Sequence, residues 1–256
     1  MFEVTKDHDK YFTFFESFPV FQNFVRFIQK YHTPKLFVDD LDHPNYSLMY
    51  FHPIYFIAGD YTKVNMNDME ALMGTNAWVA TDSDDWKDVF EQHYQDKIET
   101  YPRVLFDSSQ LKLDHVLTFR NEPLPDDLRI EPIKEEYLQR GMIHDDVLIR
   151  FFTKNDFMKD GFGFALLDSK NNVHGFALTN YPITSKTVEL YFRVGYNDYP
   201  KYRNQGIGTT LCTYFIEECF KRGFDPEWDA AHPGSAKIAR RLGYIDKHKW
   251  FMYHVK

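Results

Sequence analysis

Apolar positions near the start of the chain fall at helical steps. Phe24, Val25 and Ile28 follow Phe21 at i+3, i+4 and i+7, with Pro19 just ahead, where a first-turn proline is tolerated. The pattern then shortens. Leu36–Val38, Ser47–Phe51 and Ile54–Ala58 read as three short strands, the first two separated by the acidic segment Asp39–Asp42 and the turn former Pro44-Asn45. Ala77–Ala80 adds another apolar run, and Trp86–Ile98 predicts a helix. Further on the pattern is more regular. Strands are predicted at Arg129–Ile133, Phe162–Leu167 and Val173–Thr179. In Val188–Val194 the residues alternate: Val188, Leu190, Phe192 and Val194 on one face, Glu189, Tyr191 and Arg193 on the other. A helix follows over Thr209–Arg222, with the stripe Leu211, Cys212, Phe215, Ile216, Cys219, Phe220 and a capping Gly223. Trp228–Ala231, a helix over Ser235–Leu242 and a last strand, Trp250–Val255, complete the reading.

This succession is α/β with a mixed sheet, and no repeat of 20–50 residues interrupts it. Arg120–Asp127 holds two prolines and four formal charges in eight residues, so it reads as a linker between an N-terminal α/β domain over 1–122 and a second domain over 128–256. Apolar residues at 43% and 25 phenylalanines supply a sizeable core. There is no apolar run long enough for a membrane helix and no secretory leader pattern. The two cysteines, Cys212 and Cys219, lie on one helical stripe, as buried thiols of a reducing compartment do. A cytoplasmic protein without a membrane partner is the expectation. The net charge of −8 argues against nucleic acid. It is unevenly spread: residues 1–128 carry 11 Lys and Arg against 22 Asp and Glu, whereas residues 129–256 carry 19 against 16, so the second half is the more hospitable to an anion.

The stretch with chemistry in it is Arg203-Asn-Gln-Gly-Ile-Gly-Thr-Thr-Leu211, between a strand and a helix. Glycines at 206 and 208 allow close backbone approach, and the first turn of the helix adds N–H donors and the positive end of its dipole, an arrangement suited to a pyrophosphate. A tight loop without a ligand has the same local pattern. No Gly-Lys-Ser/Thr follows, so it is not a P-loop, and the third glycine of the dinucleotide fingerprint is missing.

Arg203-x-x-Gly206-x-Gly208 resembles the acetyl-CoA-binding signature of the GNAT N-acetyltransferase superfamily. The likeness continues through Glu217–Gly223, Pro226–Asp229 and Ser235–Tyr244, and it reaches Leu36–Asp40, His43-Pro44 and Phe56–Asp60 in the first half. These segments are similar to a subfamily that includes the zwittermicin-resistance type acetyltransferases. The resemblance implies a GNAT fold in the C-terminal half beside a degenerate GNAT-like N-terminal domain. It also implies acetyl-CoA as acyl donor, no metal, and a small-molecule amine as acceptor. Arg203, Gln205, Gly206, Ile207, Gly208 and Thr209 fall on the pyrophosphate loop, most of them acting through backbone N–H groups. Glu189 lies in the strand where such enzymes place a carboxylate base. A surface glutamate paired with Arg193 is the plainer reading of the same residue.

The usual tyrosine acid of the superfamily falls on Ala239. His232, at a position where the superfamily carries Asn, is a candidate acid or base or else a loop-capping residue, and Tyr191, Tyr196 and Tyr199 are further candidate donors. The missing tyrosine keeps open a non-catalytic acyl-CoA-binding protein. Two paired GNAT units also suggest an aminoacyl-tRNA-dependent transferase, against which the acidity speaks. Neither the histidines nor Asp39, Asp40 and Asp42 have metal-binding spacing.

Overall fold

The computed structural model describes residues 1–16, 18, 20, 22–31, 34–120, 124–139, 143, 150–151, 153–195 and 204–256. Two compact units emerge: Met1–Val104 with His248–Lys256, and Leu105–Lys247. The chain runs through β1 (Phe2–Glu3), α1 (His8–Glu16), α2 (Gln22–Tyr31), β2 (Lys35–Val38), β3 (Tyr46–Phe51), β4 (Ile54–Gly59), α3 (Met66–Met73), β5 (Ala77–Thr81), α4 (Trp86–Tyr94) and β6 (Ile98–Asp107). It continues through α5 (Leu113–Thr118), β7 (Leu128–Pro132), α6 (Glu135–Gln139), α7 (Lys154–Asp160), β8 (Gly163–Asp168), β9 (Val173–Thr179) and β10 (Thr187–Val194). The last elements are α8 (Ile207–Arg222), β11 (Asp225–Ala230), α9 (Pro233–Leu242) and β12 (Ile245–Val255). It leaves the first unit inside β6 and re-enters it inside β12.

Among the described residues, β1–β6 and β7–β12 share one order of elements: strand, two helices, three strands, helix, strand, helix, strand. The ladders match as well. β1 to β4 pair antiparallel and β4 pairs parallel with β5. Likewise β7 to β10 pair antiparallel and β10 pairs parallel with β11. The repeat therefore spans about half the chain and lives in backbone topology, outside the short periods that side-chain identity reveals.

In the first unit α2 buries Phe24, Val25, Phe27 and Ile28. Phe24 stands 4.8 Å from Phe56 and 5.3 Å from Phe51, ring to ring, which fixes α2 on that face of the sheet. On the opposite face Met69, Met73, Trp86 and Phe90 of α3 and α4 pack with Leu48, Ile57, Val79 and Tyr253. The helix expected over Trp86–Ile98 stops at Tyr94, because Gln95 takes φ 52° and turns the chain into β6. β12 pairs antiparallel with β5, Met252 opposite Ala80 and Val255 opposite Ala77, and lies between β5 and β6.

In the second unit α8 buries Ile207, Leu211, Cys212, Phe215, Ile216 and Cys219 completely, whereas Phe220 leaves the expected stripe and is 38% exposed. Phe162 stacks on Phe215 at 5.0 Å. α6 and α7 cover the other face, placing Tyr137, Leu138 and Phe157 against Ala165, Leu167, Phe176 and Leu178. Arg120, at the start of the charged Pro-rich segment, lies inside this unit. Arg120 donates to Thr213 Oγ1 (3.0 Å) and to the Thr213 carbonyl (3.1 Å), pairs with Glu217 at 2.5 Å, and sits 3.9 Å over the Tyr214 ring. α8 holds that end of the segment by packing as well as charge, and the crossing between units comes earlier, at Val104–Leu105. Among the described residues no helix is long and apolar enough to cross a membrane.

Candidate active site

The parallel ladder between β10 and β11 covers only the start of β10: Thr187 opposite Asp225, Val188 opposite Pro226 and Glu189 opposite Glu227. Leu190–Val194 are paired with β9 alone among the described residues. β10 and β11 therefore part just after Glu189. Alternation puts Glu189, Tyr191 and Arg193 on one face of β10, and the 5.8 Å stack of Tyr191 on Phe176 marks it as the face covered by α6 and α7.

Glu189 is polar yet buried, with 9% of its surface accessible. Burial pushes its carboxyl up to about 8, reinforced by the charges of Glu227 and Asp229 on β11 and opposed by Arg150 and a hydrogen bond from Asn180. Asn180 donates Nδ2–H to Glu189 Oε1 at 2.5 Å, and its Oδ1 accepts from Arg150 Nη1. The cation beside Glu189 is thus Arg150, brought from far along the chain, while Arg193 on its own strand is exposed. Asn180, Arg150, Glu227 and Asp229 escape sequence reasoning, since no spacing links them. Only the even step from Glu227 to Asp229 on one strand face hints at a shared surface.

The loop before α8 has Asn204 at φ 61° and Gly206 at φ 73°, ψ −6°. In that left-handed conformation a side chain is strained, which is why glycine stands there. Gly206 is the N-cap of α8, its carbonyl accepting from Thr210 N at 2.9 Å, and it brings no side-chain oxygen to the amides of the first turn. An anion takes that role readily, at the positive end of a 16-residue helix with no acid in its first turn. Gln205 is exposed; Ile207 and Thr209 are buried, so their side chains serve packing and only their backbone can serve a ligand. Arg203, Tyr196 and Tyr199 lie outside the described residues.

His232 is exposed and stands at the N-cap of α9, its Nδ1 accepting from Gly234 N at 3.0 Å, with Pro233 at the first helical position. Replacing it with alanine should cost about 1 kcal/mol of stability through the lost cap, read as a lowered Tm, with turnover per folded molecule unchanged. A fall of tenfold or more in kcat would give the ring a chemical role. Ala239, at the position of the usual tyrosine acid, is fully buried core. Burial pushes the Cys212 and Cys219 thiols up, so neither is a nucleophile at neutral pH. No group of three or more His, Cys, Asp or Glu among the described residues is placed to hold a metal.

The corresponding region of the first unit is built differently. Asp82, at the end of β5, accepts from Gly59 N at the end of β4 (2.9 Å), and its own N–H donates to Ile57 O (3.1 Å). These bonds tie β4 to β5 where β10 and β11 part. A Cβ on Gly59, at φ 119°, would sit 2.4 Å from the Asn45 carbonyl, so the tie tolerates no larger residue. The following helix, α3, is capped by the Asn65 side chain, which accepts from Asn67 N and Asp68 N, and Asp68 adds a negative charge to its first turn. The side chains that face α2 here are Phe56 and its neighbours Ala58 and Ala80, none able to take a proton.

Comparison with known proteins bears on the fold and the family. No curated protein matches the sequence. The structure is similar to a GCN5-related N-acetyltransferase-like protein from Streptococcus suis 89/1591, with TM-score 0.77 and 19% identity over 97% of this chain and 99% of that one. It is also similar to a GCN5-related N-acetyltransferase from Kribbella flavida, with TM-score 0.54 and 13% identity over 82% and 86%. A tandem GNAT protein from the clavulanic acid biosynthesis pathway aligns over 99% and 98%, with TM-score 0.57 and 9% identity. At these identities the likeness is one of fold. The GNAT acetyltransferase family model matches residues 16–253, nearly the whole length across both units, and the chain belongs to that family.

Proposed function

We propose that the second unit transfers an acetyl group from acetyl-CoA to a primary amine of a small molecule, as a cytoplasmic enzyme of the zwittermicin-resistance type. The observation that carries this reading is Glu189, a buried carboxyl at the point where β10 and β11 separate. The opening beyond it suits a pantetheine arm, and the start of α8 suits a pyrophosphate, with Gln205, Gly206, Ile207, Gly208 and Thr209 contributing backbone N–H groups and Arg203, just ahead of them in the sequence, supplying a cation.

The chemistry then asks little of the protein beyond positioning and a proton acceptor. The amine nitrogen attacks the thioester carbonyl carbon, the N–C bond forms, and the proton shed by nitrogen passes to Glu189, directly or through a water. The C–S bond breaks with its electron pair going to sulfur, and the thiolate takes a proton from solvent. A carboxyl near 8 is matched to this task, basic enough to hold the proton and still ionised in part at neutral pH. Glu227 and Asp229 on the same face favour a cationic acceptor. His232 is assigned to its cap and left out of the reaction.

Thermal denaturation with acetyl-CoA tests the donor. At roughly 100 times Kd, binding should add about 2.7 kcal/mol and raise the Tm of the second unit by several degrees. Calorimetry should find one acetyl-CoA per chain, because in the first unit Asp82 ties β4 to β5 and Asn65 and Asp68 already serve the first-turn amides of α3. Two equivalent sites would overturn that assignment, and no shift at all would overturn the donor. The buried Ala239 in place of a tyrosine supports a second reading, acyl-CoA binding without turnover. Saturable binding with no acetylated product across a broad panel of amines would favour it.

A further inference from the structure

We propose that Asn180 is a positioning residue for Glu189, locked in one orientation by Arg150, and that it leaves Oε2 as the carboxyl oxygen that receives the amine proton. This rests on the reading of Glu189 as proton acceptor.

Asn180 follows β9 directly and is 5% exposed. Two contacts fix it to β10: its backbone N–H donates to the Glu189 carbonyl at 2.8 Å, and its Nδ2–H donates to Glu189 Oε1 at 2.5 Å. A side-chain amide taken alone can be turned either way. Here Arg150 removes the choice. A guanidinium has only donors, so the atom facing it must be the amide oxygen, and the NH₂ group then faces the carboxyl. Arg150 is itself held, its guanidinium 4.9 Å over the Tyr181 ring.

The consequence for the carboxyl is directional. With Oε1 accepting from Asn180 in both protonation states, the proton of the neutral acid belongs on Oε2, and Oε2 is the oxygen open to take it. The proton leaves the amine as its N–H electron pair stays on nitrogen, and it returns to solvent once product has gone. The charged groups that bear on the site are Arg150, which favours the ionised form, and Glu227 and Asp229 from β11, which oppose it. With Arg150 absent, the amide is free to turn its oxygen toward Glu189, accept from the neutral acid and hold it protonated.

An infrared titration of the free protein tests this without reference to turnover. The protonated-carboxyl stretch of Glu189 is assigned by its loss in Glu189→Gln. In Asn180→Leu the midpoint should move up by roughly one to two pH units, the size of a lost hydrogen bond to a charged group. The band should also move to higher frequency, as a carbonyl freed of a hydrogen bond does. Arg150→Met should raise the midpoint too, whereas Arg150→Lys, which keeps the charge and offers only donors, should stay near the parent value. An unmoved midpoint in Asn180→Leu overturns the proposal. Should that variant fail to fold, equal midpoints in Arg150→Met and Arg150→Lys overturn it as well. The base reading stands or falls separately, on whether Glu189→Gln loses turnover.

Discussion

Glu189→Gln should lower kcat by about 10²–10⁴-fold and, in the same molecule, raise stability at alkaline pH. The two effects share one cause. The carboxyl has its ordinary value, 4.5, in the unfolded chain and about 8 in the folded one. Between those values the folded state holds a proton that the unfolded state has released. Stability therefore falls as pH rises through that window, by about 1.4 kcal/mol per pH unit at most, and the penalty is complete above the folded value. Glutamine carries no charge to bury, and its amide oxygen still accepts from Asn180. Against the parent, the variant should show a Tm several degrees higher at pH 9 and little difference at pH 5. The parent's kcat/KM, which reports the free protein, should rise with pH to a plateau with its midpoint near 8, and the variant should lack that limb. A variant with full turnover, or one less stable than the parent at pH 9, would remove Glu189 from the role.

Gly206→Glu should abolish acetyl-CoA binding, with a loss of at least 100-fold in Kd. The residue has φ 73°, a conformation that costs an L-residue about 1–2 kcal/mol. The new carboxylate would stand at the N-cap of α8, where it can satisfy the first-turn amides itself and repel a pyrophosphate. Gly206→Ala separates the two contributions. It carries the backbone strain, seen as a Tm lower by a few degrees, but brings neither charge nor acceptor and should keep most of the affinity. An equal loss in both variants would mean that loop shape alone governs binding. Undiminished binding to Gly206→Glu would move the pyrophosphate elsewhere.

The strands with strong alternation or apolar runs, β2 to β5 and β8 to β10, were legible from the sequence to within a residue; α8 and α9 were legible with starts two residues late, and α2 by its stripe alone. α1, α3 and β6 were not. α1 buries Tyr11, Phe12 and Phe15 amid charged neighbours, and β6 carries Pro102 in its middle. Glu189 and Gly206 stand out in the sequence, as a carboxylate within an alternating strand and a glycine just ahead of a helix. The surroundings that give Glu189 its chemistry do not, since Arg150 and Asn180 reach it from other elements through contacts that no local pattern encodes. His232 shows the reverse. Proline and glycine after it signal a helix start, and the structure uses its ring to cap that start.

The return of residues 248–256 to the first unit has a consequence for biosynthesis. The ribosome makes β5 and β6 early, but the strand that lies between them comes only after the whole of the second unit. A nascent chain holding the first unit alone therefore presents two unpaired strand edges, the kind of surface on which stray strands add. Maturation of the amino-terminal half waits on translation of the other half, and a ribosome stalled near codon 247 would leave behind an aggregation hazard rather than a free-standing domain.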